Sequence, residues 1–328
     1  MKVLITREIP QAGITLLKRH PEIEIIYKKG PPLTDRQMKK AVKDIDALIP
    51  VIPDQITKEV ITSAGKSLKL IAAYSVGYDH IDVAFATKRG VYVANTPGNL
   101  TEAVSEHAFA LIMDAARRIS EGDRFCRNKK YKYWDPMLMI GPKLRGKTLG
   151  IIGFGRIGQQ LARIAHLGFG MEILYSDPIA HFEGEALLDA KKVELNKLLE
   201  NSDFVSVNCN LTEETKHLIG EQEFRKMKPT AYLINTARGP IVNEEALACA
   251  LKENIIAGAG LDVFENEPKI NHTLLKLENV VLTPHIASAT FEARIEMATM
   301  TAENVIDVLI NNKPPRYLVN KDLISSLA

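Results

Sequence analysis

Charged and titratable side chains follow three successive apolar runs in the second half of the chain. Arg238 follows AYLIN, Asp262, Glu265 and Glu267 follow AGAGL, and His285 follows NVVLTP. Each alone is compatible with an ordinary role, as a surface ion-pair partner, a loop carboxylate or a loop histidine. Ligands of open α/β sheets, however, bind outside the carboxyl ends of the strands. Reduction of a ketone produces an alkoxide, which needs a proton donor such as histidine. If the ketone is a 2-oxo acid, its carboxylate and carbonyl also need a fork of hydrogen-bond donors, which arginine supplies.

A glycine-rich turn supplies a second type of chemistry. GFGRIG follows the strand-like TLGII and precedes the helix-like QQLARIAHL; its residues are Gly153, Phe154, Gly155, Arg156, Ile157 and Gly158. This context favours a dinucleotide site over a glycine turn without a ligand, because the pyrophosphate binds at the helix N-terminus. Asp177 ends the next strand, nineteen residues beyond Gly158, where a carboxylate accepts ribose hydroxyls and repels a 2′-phosphate. The prediction is NAD rather than NADP.

Two series of β-rich runs, separated by helix-like stretches, must position these residues. The first is KVLIT, EIEIIY, DALIP, KLIAAY and GVYVAN, and the second begins at TLGIIGF and ends at NVVLTP. Alternation of this kind predicts two doubly wound parallel-sheet, Rossmann-like α/β domains with a cleft between them. One long inter-domain helix is predicted over residues 101–122, and another helix after His285 that returns to the first domain. The predicted boundaries are 1–98 plus 289–328 for a substrate-binding domain and 99–288 for an NAD-binding domain.

Composition narrows the class of protein. The 328 residues are 46% hydrophobic, and 42 Lys+Arg against 40 Asp+Glu leave a net charge of +2. So balanced a charge argues against a nucleic-acid or anionic-membrane partner. No signal peptide or long apolar run is recognisable, so the expected location is the cytoplasm. Cys126, Cys209 and Cys249 lack metal-like spacing, and no metal site is expected.

The whole chain resembles the D-isomer-specific 2-hydroxyacid dehydrogenases, and within them the glyoxylate and hydroxypyruvate reductases. The resemblance lies in SVGYDHID, GKTLGIIGFGRIGQ, NTARGPIVNEEAL, AGAGLDVFENEP, VVLTPHIAS and WDPMLMIG. It implies that Arg238 orients substrate, Glu267 supports the histidine and His285 is the acid/base. It also implies that the amides of Ser75, Val76 and Gly77 hold the substrate carboxylate, and that Thr236, Ala237, Asp262 and Ala287 contact the cofactor.

The resemblance also implies a homodimer through residues 101–119, and it suggests that Trp134 reaches the partner's active site. His107 and Glu106 are assigned to helix packing on the same apolar face. Two departures from the family pattern stand out: Asp177 replaces the Arg of many glyoxylate reductases, and Asn210-Leu211 replaces the usual Pro-Leu. Oxidation of D-3-phosphoglycerate, D-lactate or phosphite on the same scaffold is the enzymatic alternative. A NAD-sensing, corepressor-like binding protein is the other.

Overall fold

A computed structural model describes residues 1–98 and 100–325 and divides the chain into two compact units. Unit 1 comprises Met1–Leu100 and Ala289–Ala328, and unit 2 comprises Thr101–Ser288. Each unit contains one sheet, and every strand pairing within the two sheets is parallel. The predicted α/β class with two parallel sheets is confirmed.

The sheet of unit 1 has five short strands in the order β2-β1-β3-β4-β5. They are β1 Lys2–Ile5, β2 Glu24–Tyr27, β3 Ala47–Ile49, β4 Leu70–Ala72 and β5 Tyr92–Ala94. The helices of this unit are α1 Gln11–Lys18, α2 Asp35–Ala41, α3 Lys58–Ser63, α4 Val83–Lys88, α12 Phe291–Leu309 and α13 Asp322–Ser325. The return helix α12 packs tightly on α1, because a Cβ on Gly13 would lie 2.4 Å from the carbonyl oxygen of Ala298. This contact joins the two sequence segments of unit 1.

The sheet of unit 2 has seven strands in the order β12-β11-β10-β9-β6-β7-β8. They are β6 Thr148–Ile152, β7 Glu172–Ser176, β8 Lys191–Lys192, β9 Phe204–Val207, β10 Tyr232–Asn235, β11 Gly258–Leu261 and β12 Val280–Leu282. The helices are α5 Leu100–Arg117, α6 Ile119–Arg127, α7 Arg156–Arg163, α8 Phe182–Leu188, α9 Leu195–Asn201, α10 Glu221–Lys226 and α11 Glu244–Lys252. The chain reverses its direction across the sheet between β6 and β9, the kind of position at which α/β sheets bind ligands.

The prediction of a single helix over residues 101–122 is wrong. The helix α5 ends at Arg117, Arg118 adopts a left-handed conformation with φ 53°, and α6 begins at Ile119. Asp114 accounts for the break, since its carboxylate accepts the backbone N–H of Ser120 at 2.7 Å as well as the Ser120 hydroxyl. A side chain that binds backbone donors in this way offers an alternative to continuing the helix.

The apolar face of residues 101–119 lies mostly inside its own unit. Ala108, Leu111, Ile112 and Ala116 are buried in a cluster with residues of the unit 2 sheet. Most of this face is therefore already used within the protomer, and the dimer contact expected there remains a prediction. Large apolar side chains are exposed instead on the segment 131–140: Tyr131, Tyr133, Trp134, Met137, Leu138 and Ile140. Across the described ranges, no helix is both long and apolar enough to cross a membrane.

Candidate active site

Three neighbouring strands of unit 2 deliver the charged residues to one edge of its sheet. β10, β11 and β12 are adjacent, and their registered parallel pairing places their carboxyl ends together. Arg238 lies three residues beyond β10, Asp262 directly follows β11, and His285 lies three residues beyond β12. The expectation that these loops meet at one edge is thus realised by the topology of the sheet.

His285 and Glu267 form a direct pair. Nδ1 of His285 lies 2.8 Å from Oε2 of Glu267, and Oε1 of Glu267 accepts the backbone N–H of Phe264 at 3.0 Å. The His285 side chain is 30% exposed, so it can be reached by a ligand. Because the pair uses Nδ1, Nε2 is the nitrogen left for proton exchange. The carboxylate fixes the orientation of the ring.

Asp262 organises the loop that carries His285. Its buried carboxylate accepts the Thr283 hydroxyl at 2.6 Å and the backbone N–H groups of Ile286 and Ala287, each at 2.8 Å. Its own carbonyl accepts the N–H of His285 at 2.9 Å, where His285 has φ 55°. Burial acts to raise the pKa of Asp262, but these hydrogen bonds and one with His107 prevail and lower the pKa below its usual value. Asp262 therefore stays ionised and holds the loop in its left-handed turn.

His107 belongs to the same network, which corrects its assignment to helix packing alone. Its Nε2 lies 3.0 Å from Oγ1 of Thr283 and 3.4 Å from Oδ1 of Asp262. Since the Thr283 hydroxyl donates to Asp262, it accepts from an N–H at Nε2 of His107. Sequence reasoning missed this role because a histidine among apolar residues of a helix gave no sign of a partner 176 residues away.

The Arg238 loop is fixed by its neighbours on both sides. The Asn235 side chain accepts the N–H of Ala237 at 3.0 Å and donates to the carbonyl of Arg238 at 2.9 Å. A Cβ on Gly239 would lie 1.9 Å from the carbonyl carbon of Phe264, so the β10 loop passes against the backbone of the β11 loop. The Arg238 guanidinium donates to the carbonyl of Ala237 at 2.8 Å. Glycine at 239 is thus what allows the Arg238 and Glu267 loops to approach.

Glu265 stabilises these loops through hydrogen bonds to neighbouring segments. It accepts the backbone N–H of Glu244 at 3.1 Å, while Glu244 accepts the N–H of Glu265 at 2.7 Å. Nε2 of His217 lies 2.7 Å from Glu265, and the backbone N–H of His217 donates to the carbonyl of Pro240 at 2.8 Å. Of the three acidic residues after β11, Glu265 is therefore engaged in the scaffold and Glu267 with the histidine.

The three glycines of GFGRIG each meet a different physical requirement. Gly153 has φ 89°, and a Cβ there would lie 2.5 Å from the backbone nitrogen of Cys209. A Cβ on Gly158 would lie 2.4 Å from the carbonyl oxygen of Gly153, so this glycine allows α7 to pack against the turn. Around Gly155, at the N-terminus of α7, a Cβ would meet no heavy atom of the described residues within 4 Å. Space beside a helix N-terminus is what a pyrophosphate needs.

Further polar groups at this edge also fit a dinucleotide. Asp177 accepts the backbone N–H groups of Phe154 at 2.8 Å and Ile179 at 2.9 Å, and each carboxylate oxygen keeps a second lone pair for a ribose hydroxyl. Among the buried side-chain oxygens that lack a hydrogen-bond partner within the described residues, two lie at this edge: Oδ1 of Asn208 and Oγ1 of Thr236. They directly follow β9, which borders the direction change, and β10, which is the next strand on the same side.

The structure gives less direct support for four other residues that are predicted to bind the cofactor. Arg156 and Ile157 begin α7, and Arg156 is exposed. The amides of Ala237 and Ala287 are already bound to Asn235 and Asp262, so neither N–H is available to a ligand in this conformation.

Ser75, Val76 and Gly77 lie in unit 1, just after β4. Their carbonyls accept protein donors: Thr96 N–H at 3.0 Å, Asn95 Nδ2 at 2.8 Å and the Ser75 hydroxyl at 2.7 Å. Within the described part of the chain, none of their three N–H groups has an acceptor. Adjacent unpaired N–H groups suit an anion such as a carboxylate.

Fold and site together define a dehydrogenase with a dinucleotide-binding unit and a histidine acid/base candidate. The family model for the NAD-binding domain of D-isomer specific 2-hydroxyacid dehydrogenases matches residues 109–287. The glyoxylate reductase of Korarchaeum cryptofilum is 52% identical over 325 residues, 98% of this chain and 97% of that protein. That of Thermococcus litoralis is 50% identical over 329 residues, 99% and 98% of the two chains.

A solved structure leads to the same family. The crystal structure of a protein from Thermus thermophilus superposes with a TM-score of 0.90 at 41% identity, covering 97% of this chain and 100% of that one. The chain belongs to the D-isomer specific 2-hydroxyacid dehydrogenase family. It is an NAD-dependent oxidoreductase that acts on 2-oxo and 2-hydroxy acids.

Proposed function

We propose that this protein reduces glyoxylate and, with it, small 2-oxo acids such as hydroxypyruvate. The His285–Glu267 pair, at 2.8 Å beside the Arg238 loop, is the observation that carries the proposal. The choice of glyoxylate is supported by the relatives above, which are glyoxylate reductases at 52% and 50% identity over nearly the full length of both chains. Oxidation of D-3-phosphoglycerate, D-lactate or phosphite, and a sensing role, lack comparable support.

The proposed mechanism assigns one task to each side chain. Arg238 binds the substrate carboxylate and carbonyl through its planar fork of donors. When bound, NADH supplies the hydride that reaches C2 of the substrate. His285 starts as imidazolium and gives the proton on Nε2 to the carbonyl oxygen, while Glu267 holds Nδ1 and stabilises the charged ring. Oxidation of the hydroxy acid runs in reverse and needs the neutral ring.

Substrate capture would also use unit 1. The unpaired N–H groups of Ser75, Val76 and Gly77 are proposed to bind the substrate carboxylate. Asp262 is proposed to contact the nicotinamide end of the cofactor and to hold the His285 loop. The roles of the two units, with boundaries near residues 98 and 288, follow from these assignments.

We further propose that the enzyme prefers NADH to NADPH. Asp177 follows β7 and presents its carboxylate next to the glycine-rich turn, where its Oδ2 binds the N–H of Phe154. A carboxylate in this position accepts ribose hydroxyls and repels a 2′-phosphate. Gly155, Gly158 and the N-terminus of α7 would take the pyrophosphate.

We also propose a homodimer, with a second copy of this chain covering the segment 131–140. Six large apolar side chains are exposed there, and Trp134 is 75% exposed. Clustered exposed apolar residues on a protein of this kind mark an interaction surface. The proposed cellular location is the cytoplasm, a reducing compartment that suits the free thiols of Cys126, Cys209 and Cys249.

A panel of 2-oxo acids tests the substrate assignment. Glyoxylate, hydroxypyruvate, pyruvate and phosphohydroxypyruvate would be compared by NADH consumption at matched concentrations, together with phosphite oxidation in the presence of NAD. We expect the highest kcat/KM for glyoxylate or hydroxypyruvate. Efficient turnover of pyruvate or of the phosphorylated acid alone would contradict the proposal. Binding of NADH without turnover of any of these compounds would favour the sensing role.

A further inference from the structure

His181 lies close to the carboxylate that is proposed to select the cofactor. Its Nε2 is 3.6 Å from Oδ1 of Asp177, and the two side chains are 24% and 15% exposed. The backbone N–H of His181 donates to the hydroxyl of Tyr175 at 3.1 Å. The imidazole stands edge-on to the rings of Phe154 and Tyr175, with centroids 5.8 and 6.1 Å away. These contacts fix the ring beside Asp177 rather than leave it in solvent.

A hydrogen bond from Gln159 defines the state of the neutral ring. Nε2 of Gln159 lies 3.2 Å from Nδ1 of His181 and also donates to the carbonyl of Phe154 at 2.9 Å. An amide NH₂ can only donate, so Nδ1 accepts and the neutral ring carries its hydrogen on Nε2. That hydrogen is on the side of Asp177. A second proton goes to Nδ1, so the Gln159 amide must turn away from the ring, and the ring then carries a full positive charge with Nε2 3.6 Å from the carboxylate oxygen.

We propose that His181 is a specificity-determining residue, whose charge sets how strongly Asp177 excludes a 2′-phosphate. The inference rests on the proposed role of Asp177. With His181 neutral, the pair presents a net charge of −1 to the phosphate of NADPH. With His181 protonated, the pair is neutral overall and the imidazolium attracts the phosphate. NADH carries no charge at this position, so its binding changes little.

The other ionisable groups around His181 do not reproduce this switch. Glu185 hydrogen-bonds to the Tyr175 hydroxyl, and burial raises the pKa of that phenol. Lys192 donates to the carbonyl of Pro178 at 3.1 Å. Burial, with a contribution from the charge of Asp177, raises the pKa of Cys209 to about 11, so the thiol stays neutral. Histidine is the side chain whose ordinary titration falls between pH 5 and 8.

Equilibrium binding separates this role from catalysis. NADPH and NADH would be titrated calorimetrically into the wild-type protein, His181→Gln, His181→Asn and His181→Lys at pH 8.0 and 5.5. The measured quantity is the ratio of the Kd for NADPH to the Kd for NADH. In the wild type we expect this ratio to fall between the two pH values on the order of three- to tenfold more than in either neutral variant.

The neutral variants supply the baseline, because a 2′-phosphate itself gains a proton near pH 6. His181→Lys carries a fixed charge, so its ratio should be low already at pH 8.0. Equal falls in the wild type and the neutral variants would overturn the inference, as would a His181→Lys ratio at pH 8.0 no lower than that of the wild type. Two neutral substitutions guard against a local change peculiar to one of them, and melting temperatures verify that all variants are folded.

The variant Asp177→Asn separates this inference from the proposal that Asp177 selects the cofactor. If Asp177→Asn leaves the ratio at pH 8.0 unchanged, Asp177 does not discriminate between the cofactors and both claims fail. If Asp177→Asn lowers the ratio while the His181 variants behave as the wild type, the role of Asp177 stands and that of His181 falls. If both respond as described, both stand.

Discussion

The imidazole of His285 is bound through Nδ1 to Oε2 of Glu267 at 2.8 Å, and the other oxygen of the same carboxylate is held by the backbone N–H of Phe264 at 3.0 Å. The pair is thus anchored to the loop that follows β11. The orientation of the His285 ring is therefore fixed, and a carboxylate lies beside it.

Removing the charge of Glu267 should shift the pH range of reduction. Glu267→Gln keeps the shape of the side chain but no longer stabilises the imidazolium, so the alkaline decline of glyoxylate reduction should move to lower pH. Oxidation of glycolate, which needs the neutral ring, should persist to lower pH. The measurement is kcat/KM against pH in both directions. Superimposable profiles for wild type and variant would remove Glu267 from the mechanism.

Replacing the guanidinium of Arg238 should weaken substrate binding. Arg238→Lys keeps one charge but loses the planar fork, so we expect KM for glyoxylate to rise roughly tenfold or more and kcat to fall. The Kd for NADH, measured by calorimetry, should stay within about twofold. Arg225→Lys, in an exposed ion pair with Glu221, is the matched control and should leave KM unchanged. An unchanged KM in Arg238→Lys would exclude the substrate role.

Reversing the charge at residue 177 should alter cofactor choice. We expect the wild type to use NADH at least about tenfold more efficiently than NADPH, and Asp177→Arg to narrow or invert that preference by giving the 2′-phosphate a bidentate partner. The readout is the ratio of kcat/KM for the two cofactors at saturating glyoxylate. Equal efficiency in the unmodified protein would contradict the assignment of Asp177.

Asp262 should contribute stability that depends on pH. Hydrogen bonds lower its pKa in the folded protein relative to the unfolded chain, so the contribution is present above the ordinary Asp range and is lost as pH falls through and below it. Asp262→Asn should lower the free energy of unfolding at pH 7 by about 1–3 kcal/mol and weaken its decline between roughly pH 5 and 3. Denaturant unfolding at several pH values measures both effects.

The control for this prediction is Asp123→Asn, which removes an exposed ion pair with Arg127. It should change stability by no more than about 0.5 kcal/mol. Parallel pH dependences in Asp262→Asn and the wild type would show that the buried carboxylate does not make the expected contribution.

The proposed dimer should depend on the segment 131–140. Light scattering at micromolar concentration should give about twice the monomer mass of 36.4 kDa, and Trp134→Ala should change the preference among 2-oxo acids more than it changes the Kd for NADH. Phe291 lies outside this segment and is 87% exposed, so Phe291→Ala should change neither the mass nor the preference among 2-oxo acids. A monomeric mass for the wild type would contradict the dimer.

The sequence alone determined the features that depend on local order along the chain. GFGRIG is recognisable because its three glycines lie at fixed spacing within six consecutive residues, between a strand and a helix. Arg238, Asp262 and His285 were predicted at strand ends because apolar runs define strands, and parallel strands bring their carboxyl ends to one edge. The α/β class followed from the same alternation of strands and helices.

The tertiary structure decided what depends on contacts between distant segments. His107 joins Asp262 through Thr283, 176 residues along the chain, and nothing in the periodicity of its helix indicates that partner. The same holds for the apolar face of residues 101–119, since periodicity shows that a face is buried but not what covers it. The helix break at Arg118 follows from Asp114 capturing Ser120, one of several geometries that this sequence allows. Packing selects among such alternatives because each contact requires the surrounding residues to be in place already.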